Sequence, residues 1–507
     1  MSATASAGAS ATPRQEVGRG LPSWWPLAAL TLLAAVLRLS TLDLQSFWYD
    51  EAFTPVHVLH PSLWATLRAV SHTENSPPLW YLLAWADSRV LGTGEIALRL
   101  PSALAGVATV PLAWGIGREL ADRRAAIVCA AIVAVNPLLI WYSQEARAYG
   151  LFVFTSALAT LYFLRALREP SARQMALFAL SAALALLSHY FALFLLVPMA
   201  VWLLAEPSTR RAALPALAAI GAVGIALLPL ISAQGGHGTQ WIGRWALSSR
   251  LQAIPQYFLA GYMGSPLGHG IELLVALPIL AALAWGAMHA LEGARAGHED
   301  SEARWRRGAW IALSLAAAGV LTPIVLAVFG ADYLAPRNLV AAMIPVSVLI
   351  ALISTWPRTG SVGLALAGLV ALAFLAISLD TERSPRLQRG NWRDVAHAIP
   401  AGGSERAITT VELGAAPLEY YIPRLRNLKR GSTVRVREIV ETGYAPLRTG
   451  AGEPPAPGFH LLARRNIDGL IVYRFASSAP RNVSEAELRA HVITLAHPEV
   501  LIPRPLS

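Results

Sequence analysis

Long apolar runs follow one another along most of this chain and dominate what it can fold into. A run of about 20 apolar residues can cross a membrane as a helix, because a helix satisfies its backbone hydrogen bonds internally. The first run is LPSWWPLAALTLLAAVLRLSTL, and further runs lie near 97–117, 124–141, 148–166, 174–187, 189–206, 211–232, 270–291, 308–330, 337–356 and 360–380. The chain is 55% hydrophobic and only 14% charged. Both features predict a polytopic α-helical membrane protein.

The segment PPLWYLLAWADSRVLG at 77–92 is ambiguous, because it is near the lower length limit for crossing. If it lies on the membrane surface as an amphipathic helix, five arginine-containing loops share one side; if it crosses, they all move to the other. These loops are 118–125, 165–173, 206–212, 292–308 and 356–360. Basic residues accumulate in cytoplasmic loops, so the surface helix is preferred. We therefore expect about eleven crossings of the inner (plasma) membrane, a cytoplasmic amino end and an extracytoplasmic carboxyl end.

Three regions follow from this topology. Residues 1–20 are expected to be a disordered cytoplasmic tail, 21–380 a transmembrane module with a first outer loop at 43–96, and 381–507 a small extracytoplasmic α/β domain. In the last region, 391–399 and 484–493 have helical patterns, the latter with Ser484 as cap, and 407–412, 432–440, 459–465 and 469–476 have strand patterns. This domain contains no catalytic motif, so we expect it to cap the membrane site. The net charge of +10 is attributed to the loop arginines and not to nucleic-acid binding.

The first polar stretch on the expected outer side is QSFWYDEAF, residues 45–53. Asp50 and Glu51 are adjacent there and are flanked by aromatic residues. A general base must lie within hydrogen-bond reach of the group it deprotonates, and two adjacent carboxylates on a loop usually point different ways. A solvated turn would produce the same pair, so the motif needs support from its surroundings.

A second polar stretch is SHTENSPPLWYLL, residues 71–83. Its two prolines keep the chain extended and begin a helix, so they could present His72 and Glu74 to a pocket, or the stretch could be a simple turn. His-x-Glu is also compatible with a metal-ligand pair. Since no third ligand is evident, no metal or other cofactor is assigned, and a divalent metal stays an alternative without support.

A third polar stretch, NPLLIWYSQEARAYG, separates two apolar runs. Glu145 and Arg147 could pair with each other, or Arg147 could bind a phosphate through its forked donors. Arg99 and Arg337 each begin an apolar helix on the same side, where a lone arginine often only reaches toward lipid head groups. Three such arginines in loops that also carry carboxylates favour a site for an anionic headgroup.

These motifs in order resemble a known family. WYDEAF, TENSPPLWY, GTGEIALRLPSALAG and NPLLIWYSQEARAY look like bacterial membrane glycosyltransferases of the GT-C class. The likeness is to the family 39/83-like group, related to the dolichyl-phosphate-mannose protein mannosyltransferases and the lipid A aminoarabinose transferases. It is strongest over 40–160 and continues through YLAPRNL and NWRDVA. Ser76, where many relatives have His or Lys, and Asn338, where many have Tyr, depart from the pattern.

The resemblance implies a GT-C fold and a polyprenyl-phosphate sugar as donor. It also implies transfer to a hydroxyl of a cell-envelope glycan, lipid or protein on the outer membrane face. Asp50 maps onto the family's presumed base, and Glu51 onto the residue that orients it or contacts the acceptor. We expect an inverting single displacement in which arginines stabilise the leaving phosphate.

Particular residues are expected to take these binding roles. The donor-phosphate candidates are Arg147, Arg337 and Arg99, with Arg244 as a weaker one. The substrate-binding candidates are His72, Glu74, Glu145 and Tyr149.

Two rival classes are considered. A transporter or flippase predicts charges within the membrane spans and internal repeats, and the sequence shows neither. A non-catalytic scaffold with a decayed site is opposed by the intact DE and QEAR stretches.

Overall fold

The computed structural model describes residues 24–235, 239–262, 269–295, 299–400, 405–491, 493 and 497–504. The expected tail at 1–20 lies outside the described residues. Within these ranges the first 380 residues are almost entirely helical, and the rest form a sheet with short helices.

In the described residues, seventeen α-helices precede the carboxyl-terminal region. They are α1 (Trp25–Leu39), α2 (Tyr49–Phe53), α3 (Leu63–Thr73), α4 (Leu79–Val90), α5 (Glu95–Leu120), α6 (Arg123–Val135), α7 (Pro137–Ser143), α8 (Tyr149–Arg168), α9 (Ala172–Ser188), α10 (Leu193–Ala205), α11 (Arg210–Gln234), α12 (Gln240–Arg244), α13 (Leu247–Ala260), α14 (His269–Arg295), α15 (Glu299–Val328), α16 (Met343–Ser354) and α17 (Gly360–Arg383). A π-helical turn at Thr54–Val58 and 3₁₀ turns at Tyr190–Ala192, Pro336–Ala342 and Pro385–Leu387 connect some of them.

Many of these helices are long and apolar enough to cross a membrane. In the described residues six pass by length and composition, and the bent pair α6–α7 adds a seventh. Shorter apolar helices are Trp25–Leu39, Ala172–Ser188, Tyr190–Ala205 and Val275–His289. The helices and the apolar composition therefore indicate a multi-pass membrane protein, while the number of crossings and their orientation stay predictions.

The ambiguous segment at 77–92 forms the short helix α4. It has 12 residues, which at 1.5 Å per residue is about 18 Å and is shorter than a hydrocarbon core of about 30 Å. Trp80 and Tyr81 on this helix are buried against the rest of the protein. The length and packing of α4 agree with a helix that does not span.

The expected crossing at 124–141 is broken where Asn136 precedes Pro137. The side chain of Asn136 accepts a hydrogen bond from the Leu139 amide at 3.0 Å, which begins α7. Because proline has no N–H, the Val133 carbonyl loses its helical donor. The buried guanidinium of Arg38 replaces it, donating to that carbonyl at 3.0 Å. The resulting 56° bend turns the chain between α7 and α8 back toward α1.

The carboxyl-terminal region holds a six-stranded sheet. Its elements are α18 (Trp392–Ala398), β1 (Arg406–Thr410), α19 (Ala415–Tyr421), β2 (Leu425–Asn427), β3 (Thr433–Tyr444), β4 (His460–Ile467), β5 (Leu470–Ser484), α20 (Glu485–Ala490) and β6 (Glu499–Pro503). The strand order is β2-β6-β1-β3-β5-β4, with β1 and β3 parallel and the other neighbours antiparallel. The expected small α/β domain is therefore present.

Most of its elements agree with the sequence patterns. Ser484 caps α20 through a capping box with Glu487, as the sequence predicts. Strands β2 and β6 were not predicted: β2 has only three residues, too few for an alternating pattern to be recognised.

Candidate active site

Asp50 and Glu51 lie in the first turn of the short helix α2, and their side chains lie in different surroundings. Successive residues of a helix point about 100° apart. The Asp50 side chain is 19% exposed, whereas that of Glu51 is fully buried. The two neighbouring carboxylates are therefore suited to different tasks.

The Glu51 carboxylate is enclosed by positive groups. Arg99 donates to it from Nε at 2.7 Å and from Nη2 at 2.6 Å, and the Ala146 amide donates at 2.8 Å. Arg389 Nε lies 3.8 Å from its Oε2 atom. Burial alone would raise the pKa of the Glu51 carboxyl, but Arg99 and Arg389 hold that pKa below its ordinary value. Glu51 is thus an ionised, buried carboxylate.

Arg99 is occupied by the protein itself. Besides its two bonds to Glu51, it donates to the carbonyls of Leu42 and Gln45 at 2.7 Å and of Ser46 at 3.1 Å. These bonds use all five guanidinium N–H groups. With its side chain 1% exposed, Arg99 secures the start of the first loop and faces no opening.

Asp50 pairs with Arg337, which comes from the start of a distant apolar helix. The Nη1 atom of Arg337 donates to Asp50 Oδ2 at 2.6 Å, and both side chains are 19% exposed. The guanidinium packs over the Trp241 ring at 4.7 Å. Within the described residues this is the one hydrogen bond that Arg337 makes to protein, so most of its donors remain available to a ligand.

Arg147 pairs with Glu74 and not with Glu145. Its Nη1 and Nη2 atoms donate to the two Glu74 oxygens at 3.1 and 3.0 Å, and Nη1 also lies 3.4 Å from the Asp50 carbonyl oxygen. The Arg147 side chain is 17% exposed. Glu74, in the turn before the two prolines, thus holds Arg147 directly beside Asp50.

Glu145 is the second fully buried carboxylate of the cluster. Its Oε2 atom lies 3.4 Å from Arg389 Nη2, and its Oε1 atom has no hydrogen-bond partner among the described residues. Burial raises the pKa of Glu145 to about 7, a rise that Arg389 opposes and that the charge of Glu51 increases. The unpartnered oxygen agrees with a carboxyl that binds a proton easily.

Arg389, which joins Glu51 to Glu145, was missed by the sequence reasoning. It follows the last membrane helix and donates to the carbonyls of Gln144 and Trp141, each at 3.2 Å. Its guanidinium also packs over the Trp141 ring at 4.2 Å. Only the NWRDVA likeness, which begins two residues later, indicated that this junction belongs to the site.

Other predicted residues are distributed unevenly around the cluster. Tyr149 is buried against Tyr142, at 4.7 Å between ring centroids, and lies within electrostatic reach of Arg337. His72 is exposed on α3, where its Nδ1 atom contacts the Arg68 carbonyl at 2.7 Å, so it is not part of the cluster. Arg244 is also exposed and pairs with Glu412 of the sheet domain at 3.0 Å.

The sheet domain is attached to the first loop beside Asp50. The hydroxyl of Tyr421, on α19, accepts a hydrogen bond from the Phe47 amide at 2.7 Å and itself bonds to Glu95. Arg393 also pairs with Glu95. Trp48, immediately before α2, packs into the core of the sheet domain. The position of α2 therefore depends on both parts of the protein.

No metal-binding group was found in the part of the chain that the structure describes: no three His, Cys, Asp or Glu side chains are arranged around a common point. The cluster is instead a set of four carboxylates and four arginines. They are Asp50, Glu51, Glu74 and Glu145 with Arg99, Arg147, Arg337 and Arg389.

Comparison with known sequences places a family likeness over the same region. Residues 75–233 match the model of the dolichyl-phosphate-mannose-protein mannosyltransferase family. A stretch of 150 residues is 24% identical to the putative mannosyltransferase YkcB of Bacillus subtilis (strain 168). That stretch covers 28% of this chain and 21% of the relative, so the chain matches about a fifth of the relative's length.

Comparison with solved structures covers nearly the whole chain. ArnT from Cupriavidus metallidurans in the apo state aligns with a TM-score of 0.52 and 13% identity, over 88% of this chain and 97% of ArnT. The same protein bound to undecaprenyl phosphate aligns with a TM-score of 0.53 and 12% identity, over 89% and 98%. At such identity the likeness is one of fold. The chain therefore has the GT-C fold of multi-pass membrane glycosyltransferases, and its residues 75–233 carry the sequence pattern of the dolichyl-phosphate-mannose-protein mannosyltransferase family.

Proposed function

We propose that this protein transfers a sugar from a polyprenyl-phosphate donor to a hydroxyl of a cell-envelope glycan, lipid or protein. The observation that carries the proposal is the 2.6 Å pair of Asp50 and Arg337. It brings a partly exposed carboxylate and a cation with unused donors together beside the membrane helices. A glycosyl transfer from a phosphate donor needs these two groups: a base for the acceptor and a positive partner for the leaving group.

The reaction proceeds by a single displacement. The donor phosphate binds Arg337 and takes its guanidinium away from Asp50. The freed carboxylate accepts the proton of the acceptor hydroxyl as that oxygen attacks the anomeric carbon. The bond from that carbon to the phosphate oxygen breaks with inversion, and the polyprenyl phosphate leaves with its charge stabilised by Arg337. Arg147, 3.4 Å from the Asp50 carbonyl, is the second candidate for this phosphate.

The buried residues act by positioning. Glu51 is enclosed and cannot touch an acceptor, so its role is to fix α2 through Arg99. Arg389 ties Glu51 to Glu145 and to the carbonyls that follow α7. Together they hold Asp50 at one position and orientation, as a general base requires.

A lipid-linked donor is favoured by the fold. The similar structure of ArnT from Cupriavidus metallidurans was determined with undecaprenyl phosphate bound. Here the non-spanning helix α4 and the neighbouring α3 lie in the same first loop as Asp50. Such helices lie at the membrane surface, where a lipid-borne phosphate arrives. We place this face outside the cell, because the arginine-rich loops lie at the other ends of the helices.

The experiment compares Asp50→Asn with Asp43→Asn, an exposed aspartate of the same loop, in cells that lack the chromosomal gene. Membrane lipids, glycans and proteins are compared by mass spectrometry to find a sugar that disappears with the gene. We expect wild type and Asp43→Asn to restore that sugar, and Asp50→Asn to reduce it by at least about 100-fold at equal protein level. Full restoration by Asp50→Asn would exclude this base, and an unchanged sugar inventory on gene loss would exclude the transferase.

A further inference from the structure

A second site lies at the opposite end of the helix bundle from Asp50. A cavity of about 530 Å³ opens there between the carboxyl ends of α5 and α8 and the first turns of α15. None of the carboxylates and arginines of the candidate active site lines it. A ligand of this cavity would therefore differ from the ligands of the candidate active site.

The inner wall of this cavity is apolar. Leu120, Leu164, Leu167 and Ile311 line it, and each of these side chains is largely buried by the surrounding helices. Gly308 lets α15 approach α5 closely, since a Cβ atom there would lie 3.1 Å from the Leu120 carbonyl oxygen. An apolar wall at the level of the helix ends suits hydrocarbon better than water.

The rim of the cavity is basic. Arg168, Arg304 and Arg307 line it, and the side chains of Arg168 and Arg307 are 62% and 52% exposed. Arg304 Nη2 donates to the Arg118 carbonyl at 2.8 Å, and Arg307 Nη2 to Glu206 at 3.0 Å. In the described residues only one nitrogen of each rim guanidinium is used in this way, which leaves further N–H groups for an anion.

Positive charge exceeds negative charge around this rim. Both oxygens of Glu119 are taken by Arg165 and Arg168, and Glu206 is paired with Arg307. Among the side chains that the structure describes, four arginines thus face two glutamates, and the described hydrogen bonds of Arg304 go to carbonyl oxygens. Basic pockets between membrane helices, with apolar walls, fit the phosphate of an anionic lipid.

We propose that this cavity binds one anionic phospholipid. Its phosphodiester contacts Arg304 and Arg307, with Arg168 at the edge, and an acyl chain follows the leucine wall. The lipid joins the ends of α5, α8 and α15 and so stabilises the face opposite the active site. The inference is independent of the proposed reaction, because it concerns binding by residues that the reaction does not use.

The test is native mass spectrometry of the purified full-length protein, titrated with phosphatidylglycerol or with phosphatidylcholine of the same chains. We expect phosphatidylglycerol to bind at least about tenfold more tightly. Arg304→Gln/Arg307→Gln should weaken this binding about thirtyfold, since each basic residue contributes about fivefold. The matched control, Arg173→Gln/Arg211→Gln, removes two exposed arginines of the same face that do not line the cavity, and should bind as wild type does.

Further measurements distinguish the possible ligands and show whether a variant has misfolded. Ala303→Trp fills the cavity mouth without changing charge and should also abolish tight binding. Apparent Tm in phosphatidylcholine, compared among variants, shows whether each one folds. Equal binding of both lipids, or unchanged binding after either the charge or the filling substitution, would overturn the proposal. If millimolar inorganic phosphate displaced phosphatidylglycerol as well as added lipid does, the site would be one for free phosphate and the proposal would be wrong. It would also be wrong if undecaprenyl phosphate bound and phosphatidylglycerol did not.

Discussion

The guanidinium of Arg99 holds the carboxylate of Glu51 through two hydrogen bonds of 2.7 and 2.6 Å, in surroundings where neither side chain is more than 1% exposed. Because Arg99 encloses Glu51, that carboxylate is closed to a ligand, whereas the neighbouring Asp50 is 19% exposed and can reach one. Glu51 therefore holds α2 in place, and Asp50 remains free to react.

Removing the charge of Glu51 should damage the fold as well as the activity. Glu51→Gln leaves Arg99 buried without its counter-charge, a change that typically costs about 3–5 kcal/mol. We expect a clearly lower apparent Tm and lower activity. Glu412→Gln, which breaks an exposed pair with Arg244, is the matched control and should change the apparent Tm little. A Glu51→Gln protein as stable as this control would contradict a structural role for the pair.

Arg337 and Arg147 should differ when each is changed to Gln. Arg337 has unused donors, so Arg337→Gln should weaken donor binding by about 10- to 100-fold, as expected for a lost charge-assisted contact, with a small change in apparent Tm. Arg147→Gln leaves the buried Glu74 unpaired and should mainly lower apparent Tm. Donor Kd and thermal unfolding, measured on both variants, check this contrast; equal donor Kd for wild type and Arg337→Gln would refute it.

The free energy of unfolding should depend on pH because of the raised pKa of Glu145. Its pKa is raised to about 7 in the fold, against about 4.3 in an unfolded chain. Between these values the folded state binds the extra proton, so stability falls as pH rises from about 4 to 7 and is flat above. Glu145→Gln should remove this slope. Apparent Tm at one heating rate, measured from pH 5 to pH 8, should fall less in the variant than in wild type; parallel curves would count against the shift.

The attachment of the sheet domain should affect turnover more than donor binding. Tyr421→Phe removes the nearer of the two acceptors of the Phe47 amide, at 2.7 Å, and leaves Glu95 Oε1 at 3.3 Å. The lost hydrogen bond costs about 1 kcal/mol and loosens the segment that leads into Asp50. We expect kcat to fall several-fold with donor KM nearly unchanged. Tyr420→Phe, whose hydroxyl bonds the Thr93 carbonyl at the surface, is the control. Identical kcat values for the two variants would show that the domain does not position α2.

Much of the fold could be predicted because apolar runs and loop arginines report directly on a membrane environment. The short helix α4 was assigned to the surface on charge bias, and its length of 12 residues agrees. The break between α6 and α7 could have been predicted from Pro137, since proline lacks the backbone N–H that donates within a helix. The partner that repairs it, Arg38, is 95 residues from Val133 in sequence, and no local pattern reveals such a contact.

The neighbours within the candidate site could be predicted in part. Asp50 was proposed from its motif, and the structure brings it to Arg337. The sequence does not show which residue of a neighbouring pair is buried, so Glu51 and Arg99 could not be distinguished from ligand-binding groups. Arg389 was missed because its partners are carbonyls and carboxylates that only the bend after α6 brings together.

The junction after the last membrane helix also has a consequence for synthesis. The Arg389 amide donates to Gln45 Oε1 at 2.9 Å across 344 positions of chain, and the Trp392 amide to Ser46 Oγ at 3.0 Å. At about 5–20 residues per second, the first loop waits on the order of tens of seconds for these partners after it leaves the ribosome. Until then Glu51 lacks one of its two arginines, so we expect the first loop to reach its final structure only after α17 and the junction that follows it have been synthesised.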